Sequence, residues 1–316
     1  MFRLSATVIS PVFASLALVM FSLNDVAMKV LSGGYALHQL VLIRSFVGLA
    51  VVVCIMVPLS GTFSVLKTRR LGMHMLRAIF VVFANLCFFL GLAALPLADA
   101  VAIFFTAPFL ITIASVLFLG EVVGQRRWSA IAVGMIGVMV VLRPGTDTFQ
   151  VASILPLAAA FGYAGLHIMT RFLRETENAV SMTFYIQIAF IVVCVVLGLL
   201  LGDGRFAEQN NASLAFLFRE WRVPEVGDLP FMLVLGIFAS VGGYCISQAY
   251  RLGEAAIVAP VEYIAMPLSI TWGVLVFGTW PDAAAWCGIG LILSSGLYTV
   301  WREHQLQKQI QPVEQL

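Results

Sequence analysis

Residues 72–119 read GMHMLRAIFVVFANLCFFLGLAALPLADAVAIFFTAPFLITIASVLFL, and their only charged side chains are Arg77 and Asp99. A bilayer crossing needs about 20 apolar residues at a rise of about 1.5 Å each, so the stretch holds two. Pro96 divides them and leaves room only for a tight turn, so the two crossings form an antiparallel hairpin. The rest of the 316-residue chain has the same character, with 61% hydrophobic and 11% charged residues. A soluble domain has about 45–50% apolar and about 25% charged residues. A water-soluble globule of this size cannot hide so much apolar surface, so the fold class is all-α integral membrane.

Cutting the chain at its polar breaks predicts ten spans, over 11–31, 37–59, 72–95, 97–119, 128–143, 151–170, 181–201, 229–250, 255–278 and 283–301. Arg3 ahead of the first apolar run resembles a signal peptide, but Asn24, Asp25 and Lys29 follow inside the same helix and no small-residue cleavage site appears. The first span is therefore read as uncleaved. With the N-terminus inside, twelve of the eighteen Lys and Arg fall in inner segments and four in outer ones. This bias places both termini in the cytoplasm and the long segment 202–228 outside, in an inner (plasma) membrane. The Asn211-Ala-Ser213 triplet there fits a glycosylation acceptor, a pattern short enough to arise by chance.

A net charge of +2 is too balanced for a nucleic-acid binder, which leaves the lipid bilayer and a small-molecule solute as the expected partners. Cys54, Cys87, Cys194, Cys245 and Cys287 show no metal-ligand or redox spacing and read as small core hydrophobes.

The two halves repeat each other. Gly120 and Gly278 each close a helix, Trp128 and Trp286 open the next, and Pro108 and Pro267 interrupt the spans before those glycines. Lys29 matches Arg171, Arg44 matches Gln187 and Asp25 matches His167. Five spans is an odd number, so the second copy enters from the opposite side, the inverted arrangement of many carriers. The repeats are set at 1–148 and 149–316.

Several motifs occur in a characteristic order: Leu95-Pro96-Leu97-Ala98-Asp99-Ala100, Thr106-Ala107-Pro108-Phe109, Leu119-Gly120-Glu121 before Arg127-Trp128, Ala259-Pro260-Val261-Glu262-Tyr263, Phe277-Gly278 with Pro281-Asp282, and Ser295-Gly296-Leu297-Tyr298. Together they resemble the EamA-type ten-helix members of the drug/metabolite transporter superfamily. The resemblance covers nearly the whole chain and implies a secondary carrier for a small organic metabolite, with ten helices in two inverted five-helix repeats. It implies no particular cargo or direction. Thr279 departs from the pattern, which usually has Glu after the glycine, and the change bears on a turn more than on transport. Alternating access between two five-helix bundles is the expected mechanism, in a monomer or homodimer.

Ionisable groups inside spans are costly and each needs a partner or a function. Asp25 precedes Lys29 by four residues on one helix face, so the two read either as a charged solute site or as a resting pair beside an interfacial Lys29. Arg44 cannot deprotonate, and it reads either as the holder of an anionic group or as a structural partner of Asp25. Gln187, its repeat counterpart, keeps the hydrogen bonding without the charge. His167 is a proton acceptor or a hydrogen-bonded core histidine. Glu262 and Tyr263 precede the Pro267 break, and Thr106 and Asn85 sit at matching depth in the first half. Tyr163, Tyr185, Tyr244 and Gln248 supply rings and polar tips that serve either a site or helix packing. Arg77 and Asp99 read as interface residues, and Gly198-x-x-x-Gly202 and Gly134-x-x-Gly137 as close helix contacts. No H-E-x-x-H, G-x-S-x-G or phosphate-binding glycine loop appears, so neither an enzyme nor a bound cofactor is expected. The alternatives are a channel, which needs a ring of like groups along a pore, and a non-transporting scaffold.

Overall fold

The computed structural model describes residues 6–120, 123–145, 150–173, 176–252 and 261–310. Arg3, Glu121, Arg174, Ala259-Pro260, the first residues of the expected ninth span and the boundary at 148/149 lie outside them. Every regular element among the described residues is a helix, without a strand. The helices are α1 (Ala6–Leu31), α2 (Leu37–Val51), α3 (Leu71–Ala94), α4 (Leu97–Phe104), α5 (Ala107–Leu119), α6 (Gln125–Leu142), α7 (Ile154–Leu173), α8 (Ala179–Leu201), α9 (Ala212–Phe218), α10 (Leu229–Leu252), α11 (Ala265–Phe277) and α12 (Ala283–Ile310). A π-helical turn over Val52–Met56 carries α2 on to Leu59. Among the described residues, seven segments are long and apolar enough to cross a membrane. Shorter apolar helices over Trp128–Leu142, Ala265–Phe277 and Ala283–Tyr298 occupy the places of the fifth, ninth and tenth spans.

The expected fourth span is two helices, because Pro108 has no N–H for the carbonyl four residues earlier and its ring collides with it. The chain turns at Phe105 and Thr106, and the Thr106 hydroxyl donates to the Ile103 carbonyl at 2.7 Å. The second half repeats the device. A turn at Tyr263 and Ile264 precedes α11, with Pro267 one residue deeper into its helix than Pro108. Both broken helices end on a left-handed glycine, Gly120 at φ 68° and Gly278 at φ 63°, a conformation that costs other residues a Cβ clash.

Helix pairing runs across the halves. The most extensive contacts are α1 with α10, α3 with α7, α6 with α12, and α2 with α8. Exchanging the halves turns the first pair into the second and each of the last two into itself. Gly137 of α6 and Gly288 of α12 let two of these backbones approach, since a Cβ on either would lie within 2.8 Å of the other's carbonyl oxygen. All four contacts join one half of the chain to the other.

Segment 202–228 forms a strap over one end of the molecule. Phe216 of α9 is buried in the main core. The Arg219 guanidinium donates to the carbonyls of Ser32 and Tyr35, Ser213 donates to the Leu90 carbonyl, and the Trp221 indole N–H donates to His38 Nδ1. Tyr35 donates to Asp228 at 2.6 Å. Gly198 and Gly202 serve this strap and not a neighbouring helix: a Cβ on Gly198 would lie 2.1 Å from the Trp221 ring. Of the cysteines, Cys194 and Cys245 are buried, but Cys54 and Cys287 are on the exposed surface.

Candidate functional site

Five helices place one stripe each around a central cavity of about 280 Å³. The stripes follow the helical repeat: Leu18, Phe21, Ser22 and Asp25 on α1; Arg77, Val81, Asn85 and Phe88 on α3; Tyr163, His167 and Thr170 on α7; Thr183, Gln187 and Phe190 on α8; Ala239, Gly243 and Ser247 on α10. Arg44 of α2 enters between α3 and α8, and the breaks after α4 and before α11 bring in Phe105 and Glu262. Aromatic rings cover much of the wall. Phe104 packs edge-on against Tyr163 at 5.2 Å, Tyr163 against His167 at 4.4 Å, and Phe88 against Phe104 at 5.1 Å.

Arg44 is 4% exposed. Its guanidinium lies between the rings of Phe89 and Phe190, 5.3 and 4.8 Å from their centroids. Nη1 donates to Asn85 Oδ1 at 3.3 Å, and Asn85 is oriented for this by its own donation to the Val81 carbonyl. Nε has no partner, and no carboxylate lies within 4.0 Å of Arg44 among the described residues. The expected resting pair with Asp25 is thus absent, because Asn85 and the two rings hold the guanidinium instead. Lys29 is likewise no partner of Asp25. Its Nζ donates to the carbonyls of Leu92 and Leu95 at 2.7 and 2.6 Å, capping the end of α3 where the helix leaves carbonyls unpaired.

Arg77 is 5% exposed and lines the cavity instead of sitting at an interface. It donates to the Thr170 hydroxyl at 2.9 Å and to the Met182 carbonyl at 3.2 Å. Beyond it, Glu177 accepts from Thr68 at 2.6 Å and from Ser181 at 3.2 Å and lies 3.3 Å from His74 Nε2. This cluster closes the end opposite the strap.

Seven of the eleven residues singled out from the sequence line the cavity: Asp25, Arg44, Asn85, Tyr163, His167, Gln187 and Glu262. The amide of Gln187 fits against Gly48, where a Cβ would lie 2.5 Å from its nitrogen. The other four lie off the wall. Thr106 is spent on its own break, and Tyr244 accepts from Gln248 one turn away at 2.9 Å. Tyr263 stacks on Phe105 at 5.4 Å, its ring filling the slot that Gly296 leaves open. The Phe21, Phe88, Phe89, Phe104 and Phe190 rings are unforeseen, although all but Phe104 lie three or four residues from a polar lining residue on the same helix.

The model of the EamA-like transporter family matches residues 9–143 and again 150–301. A riboflavin transporter of Vibrio cholerae is 28% identical over 267 residues, covering 82% of this chain and 83% of its own. One from Rhizobium johnstonii is 30% identical over 243 residues, covering 77% and 74%. An S-adenosylmethionine uptake transporter of Rickettsia felis is 27% identical over 288 residues, 91% of each chain. A solved crystal structure superposes with a TM-score of 0.68 over 94% of this chain and 98% of its own, at 18% identity, a likeness of fold.

Proposed function

We propose that this chain, which belongs to the EamA-like transporter family, binds a planar nitrogen heterocycle bearing a polar arm in its central cavity and moves it across the inner membrane. The observation that carries this reading is the ring-lined cavity, in which Phe88, Phe104, Tyr163 and Phe190 face fixed polar groups at Arg44, Asn85 and Gln187. Aromatic side chains stack on flat heterocycles, and a few placed donors set orientation. The named relatives carry riboflavin or S-adenosylmethionine, both flat heterocycles with a polar arm.

Transport proceeds by alternating access. The 1–148 and 149–316 repeats supply matched halves of one cavity, and both termini lie in the cytoplasm. The strap over 202–228 then seals the outer end, and the Glu177 cluster closes the inner one. Asp25, Arg44, Asn85, Tyr163, His167, Gln187 and Glu262 are the solute-facing residues. One-off polar groups of mixed kind fit a carrier better than the ring of like groups a channel requires.

Counterflow in proteoliposomes tests the reading. Vesicles preloaded with unlabelled riboflavin or S-adenosylmethionine take up the same labelled solute faster than empty ones. Equal uptake by loaded and empty vesicles indicates a channel, and no uptake of either solute refutes the heterocycle class.

A further inference from the structure

Two connections of the chain are fastened across the halves, one at each end of the molecule. Residues 60–70, which lead into α3, lie against the second half. Thr68 donates to the Glu177 carboxylate at 2.6 Å, and Asn178 donates to the Val65 carbonyl at 3.1 Å. Tyr185 donates to the Leu66 carbonyl at 2.9 Å, and Arg70 to the Phe172 carbonyl at 3.3 Å. The strap over 202–228, which leads into α10, lies against the first half. Tyr35 donates to the Asp228 carboxylate at 2.6 Å and accepts from the Glu225 N–H at 3.0 Å, while Gln39 accepts from the Arg222 N–H at 3.2 Å.

The two fastenings are repeat equivalents. The turn from Leu31 to Leu37 recurs 142 residues later as the turn from Leu173 to Ala179, and the same offset carries Tyr35 to Glu177. The helices that the connections enter begin 158 residues apart, at Leu71 and Leu229, which is also the offset between Gly120 and Gly278. At each end a hydroxyl donates to a carboxylate, with the roles of turn and connection exchanged. Polar bonds of this kind trade for water at a membrane face, whereas helix pairs closed over glycine do not.

We infer that residues 60–70 and 202–228 are the two gates of the transport cycle, each latched on the opposite half, the inner one through Glu177 and the outer one through Tyr35. This rests on the alternating-access reading and deepens it by naming what opens. Both latches are made in this structure, as they are in a carrier between its two open states. Because they stand at opposite ends of the cavity, weakening one admits solute from its own side only. The gate that opens more often then sets the side from which the cavity fills.

Thiol labelling from each side of the membrane tests this. Ala239→Cys puts a thiol on the cavity wall, and a membrane-impermeant maleimide is applied to right-side-out and to inverted vesicles. Mass spectrometry reads position 239, so the native cysteines stay in place. Tyr35→Phe deletes one hydroxyl and raises labelling from the outside about tenfold, the equivalent of ~1.4 kcal/mol, without raising it from the inside. Thr68→Val does the reverse. Asp228→Ala and Glu177→Ala break the same two bonds from their other partners and give the same pair of results, so the test survives a variant that misfolds. Unchanged labelling in both hydroxyl deletions, or acceleration of both from the same side, overturns the gate assignment. Counterflow by the native chain then leaves alternating access standing, whereas a native chain without counterflow refutes alternating access and the gates with it.

Discussion

Trp221 latches the strap, and its removal has a calculable effect. The side chain is 41% exposed, so a little over half of its surface is covered by Gly198, Gly202 and the turn below. A tryptophan buries up to about 200 Å². Losing about 120 Å² at about 25 cal/mol per Å² amounts to ~3 kcal/mol. The indole N–H also satisfies His38 Nδ1, but water entering the vacated space replaces that bond, so it adds little. Since ~1.4 kcal/mol is tenfold, the strap opens about 100 times more often in Trp221→Ala. Hydrogen exchange of the α9 amides at Ala212–Phe218 reads this local opening directly. Trp221→Phe keeps the ring and loses only the donor, so its exchange rises about fivefold, the effect of ~1 kcal/mol. Gly198→Ala approaches the same contact from the other side, because its Cβ would enter the indole, and it should resemble Trp221→Ala. Unchanged α9 exchange in both Trp221→Ala and Gly198→Ala, with global unfolding unaltered, would show that the strap is held by something other than this contact.

Lys29→Met strips two carbonyls of their donor and should lower the unfolding temperature, at a cost of about 1–3 kcal/mol, while Asp25→Asn leaves it unchanged; equal losses in both would restore the side-chain pair. Gly296→Ala places a Cβ 1.8 Å from the Tyr263 ring and should destabilise by about 1–3 kcal/mol of overpacking, relieved in thermal melts by Tyr263→Leu in the same chain. The Asp282 carboxyl is held below its usual 3.8, first by Arg143 and then by the Ala285 amide. A depressed carboxylate stabilises above its ordinary value, and the benefit is lost as pH falls through the folded one. Asp282→Asn keeps the helix cap but loses the exposed ion pair, a difference of at most about 1 kcal/mol, so its melting temperature should converge on the native one as pH drops below 3.8. A gap that persists at that pH assigns the contribution to something other than the charge.

The bilayer as solvent was readable from composition, because burial of so many apolar side chains has no other solution at this length. The tight turn at Pro96, the breaks at Pro108 and Pro267 and the glycine helix ends were equally local, each following from one residue's missing donor or missing Cβ. The polar members of the cavity stripes stood out because a charge or amide in an apolar helix is conspicuous. Asp25, Arg44, Asn85, His167 and Gln187 were therefore visible. Their aromatic neighbours were not, since a phenylalanine in a membrane helix has the same composition signal whether it faces lipid, core or cavity. Partnership was decided only by the fold. Lys29 meets carbonyls more than sixty residues away in place of the acid one turn before it, and Arg44 sits between rings from two other helices. Sequence spacing measures distance along one helix, whereas the partner of a buried charge is set by which helices lie beside it. The cross-half pairing of α1 with α10 and α3 with α7 is a property of the packed chain alone, and that pairing places Asp25, Asn85 and His167 on one cavity wall.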